Sequence, residues 1–162
     1  MSDKIRSSDE PVGRMAKLMA ALYTHMAQEL VDRLGENEGH EAIRRAIKGF
    51  ADQRIASMHE EANERGLPIN GQTYSLVRDM PGQGWIRSKD NPDDILYCPM
   101  FAMWQQQGAD DLARLYCEID TYLFEAFQVE MKRPYCLSEG HDRCRFNLTA
   151  KKTKPENESV ES

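Results

Sequence analysis

The chain has 162 residues, 40% hydrophobic and 30% charged, which is room for one modest core and not for two. Lys and Arg number 21 against 27 Asp and Glu, a formal charge of -6, so the molecule lacks the cationic field that nucleic acid and anionic lipid select. No apolar run approaches the roughly 20 residues of a spanning helix, and the opening MSDKIRSSDEP has no apolar signal segment. These features predict a cytoplasmic protein whose partners are neither nucleic acid nor membrane. Cys98, Cys117, Cys136 and Cys144 are too few for a secreted disulfide scaffold of this size, and are expected as thiols or ligands.

Residues 1–10 and 151–162 are polar and aperiodic, and are expected as disordered tails around one domain over 11–150. Met15, Leu18, Met19, Leu22, Met26 and Leu30 share one helical face, and Gly35 follows. The spacing predicts a helix over 13–34 whose methionine-rich stripe is expected to pack inward, the alternative being an exposed interface. A second helix, over 38–65, carries Ile43, Ala46, Ile47, Phe50 and Met58 on one stripe and is closed by Gly66 and Pro68. Thr73–Val77 and Trp85–Arg87 read as strands separated by the Pro-Gly-Gln-Gly turn at 81–84. Ile95–Cys98 reads as a short buried strand that Pro99 ends. Leu112, Leu115, Tyr116, Ile119, Leu123 and Ala126 set a helix over 109–127. Gln128–Leu137 and Arg143–Thr149 flank a turn, Ser138–Asp142, as a hairpin. The class is α+β: an N-terminal helical pair packed on an antiparallel sheet crossed by one helix, ending in a β-hairpin.

Two residues break their own pattern. Arg54 falls in the apolar arc of the second helix, at i+7 from Ile47 and i+4 from Phe50, where an unpaired guanidinium would cost several kcal/mol. It either reaches the rim or a structural salt bridge, or binds an anionic ligand group. Asp120, one turn from Cys117, sits between two apolar arcs of the third long helix. A half-buried carboxylate there is either a structural partner, with Arg54 the obvious candidate, or a site group. Two such misfits are most simply explained by one shared cavity. Cys98 ends a strand before Pro99, where a thiol can be a nucleophile or an inert core residue.

Cys136 and Cys144 lie on the paired strands of the hairpin with His141 in the turn, a weak zinc pattern whose alternative is core packing. Lys132, Arg133 and Arg143 are expected on a solvated sheet face. The sequence holds no Gly-rich phosphate loop, HExxH, GxSxG or CxxC, which removes the commonest nucleotide, metalloprotease, serine-hydrolase and thioredoxin-like readings.

Tyr97-Cys98-Pro99, then Tyr116-Cys117-Glu118-Ile119-Asp120, then Gly140 with Cys144-Arg145-Phe146 resemble the L-2-amino-thiazoline-4-carboxylic acid hydrolase family. Its members carry a Cys-Pro, a Cys-x-x-Asp and a closing Gly-x-x-x-Cys-x-Phe in this order. The resemblance covers about residues 38–149. It implies hydrolytic opening of a cyclic amidine-like ring to an N-carbamoyl amino acid, without a cofactor. A shared fold does not by itself transfer a reaction. On this reading Cys98 or Cys117 is the nucleophile, or Asp120 the base for water, and Arg54, Trp104 and Cys144 line the substrate. The hairpin CLSEGHDRC also resembles the 4-vinyl reductase domain, a small-molecule-binding module in which such cysteines can hold zinc. The alternative is thus a non-catalytic ligand- or zinc-binding module, with Cys136, His141 and Cys144 as ligands.

Overall fold

The computed structural model describes residues 4–151; the expected tail over 152–162 and residues 1–3 lie outside the described residues. Lys4–Glu10, expected within a disordered tail, are tied to the first helix, where Lys17 Nζ donates to Lys4 O and to Asp9 Oδ2, both at 3.1 Å.

Helix α1 (Pro11–Leu34) starts at Glu10, whose carboxylate accepts from the Val12 and Gly13 N–H groups, with Pro11 at the first helical position. Gly35, at φ 81°, turns the chain into α2 (Glu36–Glu64). The two helices pack so closely that a Cβ on Gly39 would meet Val31 Cα at 2.7 Å. That closeness explains a reversal of the expected α1 face. Gly13, Ala16, Ala20, Thr24 and Ala27 are buried, whereas Met15, Leu18, Leu22 and Met26 are exposed. Contact with α2 on one side and the helix after Cys98 on the other selects small side chains, since interaxial distance follows side-chain size.

The segment expected as a strand over 73–77 is a helix, α3 (Gly71–Val77). Asn70 caps it by accepting from Thr73 N–H at 3.0 Å, and the Thr73 hydroxyl donates to Pro68 O at 2.6 Å. These local hydrogen bonds outweigh the β-preference of Thr, Tyr and Val. Strand β1 (Ile86–Arg87) pairs with β2 (Asp94–Tyr97). Cys98 then caps α4 (Pro99–Gln106), a helix that the sequence pattern did not mark.

The expected helix over 109–127 is two helices, α5 (Asp110–Cys117) and α6 (Ile119–Ala126), broken at Glu118. The i→i+3 bonds Glu118 N to Leu115 O and Thr121 N to Glu118 O tighten the joint. Arg44 holds the Glu118 carboxylate from α2 at 3.1 Å. The break lets Leu112 and Leu115 face the α1 side while α6 packs between α2 and β3 (Val129–Tyr135). After a short 3₁₀ turn, Leu137–Glu139, the chain returns as β4 (Cys144–Ala150). The sheet is antiparallel in the order β1-β2-β4-β3. The observed class is α+β: an N-terminal helix pair, a four-stranded antiparallel sheet with helices against it, and a terminal pair of strands. Among the described residues no helix is long and apolar enough to cross a membrane.

Trp104 belongs to the core. It is 1% exposed, its indole N–H donates to Ala20 O at 3.1 Å, and its ring meets Tyr23 and Tyr116. The expectation that it lines the substrate is corrected: α4 turns its ring toward α1 and away from solvent.

Candidate active site

Arg54 is held as its place in the α2 stripe requires, but by a partner the sequence did not indicate. Its Nε and Nη2 donate to Asp79 Oδ2 and Oδ1 at 2.8 and 2.6 Å, the two-point geometry of guanidinium and carboxylate. Asp79 follows α3, and its burial pushes the carboxyl up while the Arg54 bonds and charge outweigh that and hold it low. The direct Arg54–Asp120 pair expected from sequence is therefore not formed: the end of α3 brings a carboxylate to Arg54 first.

Asp120 opens α6 and takes its partner from the sheet. Arg133, on β3, donates from Nη1 to Asp120 Oδ2 and from Nη2 to Cys117 O, both at 2.9 Å. Arg133 is thus not part of a solvated face; its side chain is 15% exposed, and it lies over the Phe146 ring at 5.6 Å. Burial raises the Asp120 carboxyl above its ordinary range, with the Arg133 and Arg54 charges opposing the rise. Yet the Asp120 side chain keeps 31% of its surface accessible. Its Oδ1 accepts no hydrogen bond from the described residues.

Cys98 shares that environment. Its Sγ caps α4, accepting from Phe101 N–H at 3.5 Å, and is half-buried. Burial pushes its thiol up; the N–H groups of Phe101 and Met100 and the Trp85 side chain pull it down, and the Asp120 charge adds to the rise. Trp85 is brought there by a backbone crossing in which Gly84, at φ 88°, lies so near Gly13 that a Cβ would meet its Cα at 2.6 Å. Burial pushes the Tyr116 phenol up, with the Arg54 charge opposing the rise and Asp120, Cys117 and Cys98 adding to it.

The other two cysteines belong to the hairpin. Cys136 and Cys144 are buried with sulfurs 3.8 Å apart, on one side of the hairpin as the sequence allowed. Ser138 Oγ is 3.1 Å from Cys136 Sγ, and Leu137 N–H donates to Cys144 Sγ at 3.2 Å. The Cys117 and Cys144 thiols and the Ser138 hydroxyl stabilise a Cys136 thiolate, pushing its thiol down, while the two donor thiols are pushed up. His141 does not join the sulfurs: its Nδ1 lies 3.1 Å from both the N–H and the carbonyl of Cys136. Among the described residues no group of three or more His, Cys, Asp or Glu side chains could hold a metal ion. Of the expected Cys136, His141 and Cys144 set, the structure brings the two sulfurs together and turns His141 Nδ1 to the Cys136 backbone.

Sequence reasoning missed Asp79 and Arg133. Arg133 alternates along β3 with exposed neighbours, so it did not stand out.

The α+β fold thus carries a helix-capping thiol, an arginine-held carboxylate and a second arginine held by a carboxylate of its own. The family model for L-2-amino-thiazoline-4-carboxylic acid hydrolase matches residues 14–148, and the chain belongs to that family. Comparison with curated proteins found no match, and comparison with solved structures found none.

Proposed function

We propose that the protein hydrolyses a small cyclic, amidine-like, carboxylate-bearing substrate of the 2-amino-thiazoline-4-carboxylate kind, opening its ring. The observation that carries this reading is Asp120, a carboxylate raised by burial, oriented through one oxygen by Arg133 and accessible. A carboxyl made more basic, with its second oxygen unoccupied, suits general-base work.

Asp120 Oδ1 takes a proton from water as the water oxygen attacks the amidine carbon. As the tetrahedral adduct collapses to the carbonyl, its hydroxyl proton goes to the amidine nitrogen, a ring heteroatom is expelled, and the proton held on Asp120 passes to that atom. In an all-nitrogen ring the bond broken is the C–N bond expected from the sequence. In a thiazoline, an N-carbamoyl product retains both nitrogens, so the ring C–S bond breaks and a free thiol appears. Cys98 is the candidate for a covalent route, in which its sulfur attacks and Asp120 takes its proton. Arg54 holds the substrate carboxylate through donors not spent on Asp79.

Incubation with L-2-amino-thiazoline-4-carboxylate, following thiol release, tests the reading: turnover by the wild type and its loss in Asp120→Asn are expected. Full turnover in both Cys98→Ala and Cys117→Ala would select water attack over the covalent route. No turnover by the folded wild type contradicts the proposal for this substrate.

A further inference from the structure

Packing on small residues turns the large side chains of α1 outward. Met15, Leu18, Leu22 and Met26 are 63%, 45%, 61% and 62% exposed, and they lie within an arc of roughly 80° along about three turns of the helix. An apolar stripe left open in this way marks a contact surface. The chain's own C-terminal segment does not supply the cover: residues 152–162 read KTKPENESVES, with Val160 as their single large apolar residue.

The order of the stripe points to its occupant. Along α1 it runs Met, Leu, Leu, Met at nearly even spacing, so it reads the same in either direction. A second copy of α1 laid antiparallel, about a two-fold axis beside Ala20 and Ala21, sets Met15 against the partner's Met26 and Leu18 against the partner's Leu22. A two-fold interface must be complementary to itself, and this stripe is. The charges beside it agree with that direction. Arg14 lies toward one edge at the N-terminal end of the stripe, and Glu29 and Asp32 lie toward the same edge at its C-terminal end. Antiparallel helices bring like edges together, so Arg14 comes within about one turn of the partner's Glu29, whereas a parallel pair would oppose each charge to its own copy. The area is of the right order. Each of the four side chains leaves on the order of 100 Å² open, so two copies cover roughly 800 Å² in these residues alone, and the turns around them carry the total toward the lower bound of specific interfaces, about 1,200 Å². Methionine suits such a surface, because its unbranched side chain adapts to the partner's shape.

We propose that α1 is a dimer interface, through which two copies of this chain pack antiparallel on Met15, Leu18, Leu22 and Met26. None of the residues assigned to ring opening lies on α1, so the dimer and the reaction stand or fall separately.

Sedimentation velocity of the full chain at micromolar concentration tests the interface. The wild type is expected at twice the mass of one chain. Leu22→Glu, which the two-fold places in the interface twice over, should raise the dissociation constant at least about 100-fold and leave a monomer with unchanged circular dichroism, since the side chain is exposed in the single chain. Leu18→Lys should do the same. An equimolar mixture of the two variants should recover the dimer, because the antiparallel pairing sets the introduced amine against the introduced carboxylate and leaves the other Leu18–Leu22 pair intact; in a parallel pairing the two groups do not meet. A monomeric wild type overturns the proposal, including one that sediments with phosphatidylcholine vesicles and so assigns the stripe to a lipid surface. A dimer that persists in Leu22→Glu overturns it as well, as does a mixture that stays monomeric.

Discussion

Asp94 and Asp120 are both carboxylates held by arginines of the hairpin strands and their turn, and they sit in opposite circumstances. Asp94 is 2% exposed, covered by Arg145 at 2.6 and 2.7 Å and by Arg143 at 3.3 Å. Hydrogen bonds from Arg145 hold its carboxyl below the ordinary range, and burial opposes them only in part. Asp120 is less covered. One arginine reaches one of its oxygens, burial raises it, and 31% of the side chain remains accessible. A carboxylate whose oxygens are both occupied fastens β2 to β4; the one left half-occupied is the base of the proposed reaction.

The sharpest way to separate the two is Asp120→Asn. Turnover should fall by about 10²- to 10⁴-fold, the usual worth of a general base. The melting midpoint should move by only a few degrees, because Asn keeps an oxygen for Arg133 and removes a charge that burial already disfavours. A large loss of stability without loss of activity would make Asp120 a second Asp94.

Arg54→Ala should be costly on both counts. It strips Asp79 of its partner, and denaturant unfolding should show a loss of about 2–3 kcal/mol. That is less than for a fully buried pair, because the Asp79 side chain is 38% exposed and solvent screens it. Turnover of a carboxylate-bearing substrate should fall at the same time.

Asp94→Asn should leave catalysis intact and change the acid side of the stability curve. A carboxyl held low in the fold stabilises fully above its unfolded value, about 3.9, and that contribution is lost as pH falls through the lower folded value. Thermal midpoints from pH 7 downward should therefore fall more gently in the variant than in the wild type. The smallest effect is expected for Trp104→Phe, which loses the bond to Ala20 O and some ring area, about 1–2 kcal/mol by denaturant unfolding, with ligand binding unchanged because the ring faces the core.

What was legible in the sequence follows the same division between local and tertiary causes. The ends of α1 and α2 were readable to within two residues, since Gly35 and Gly66 act locally. The buried face of α1 was not, because the stripe of large apolar residues points away from a contact that admits only small ones. The Asn70 cap was present in the sequence, but the strand-like Thr, Tyr and Val after it dominated the reading. Arg54 and Asp120 were recognisable as charges among apolar neighbours, which is a property of their own helices. Their partners, Asp79 and Arg133, depend on how α3 and β3 pack against those helices, which no periodicity records.

The most direct test of the Asp120 assignment is the pH dependence of kcat/KM for ring opening, which reports the ionisation of the free protein's essential base. The wild type should lose activity as pH falls through a value above the ordinary carboxylate range of about 3.9, because burial raises the Asp120 carboxyl and only its ionised form accepts a proton. Asp120→Asn should show low residual activity without that acid limb. An acid limb unchanged in Asp120→Asn, with turnover within a few-fold of the wild type, would contradict the account.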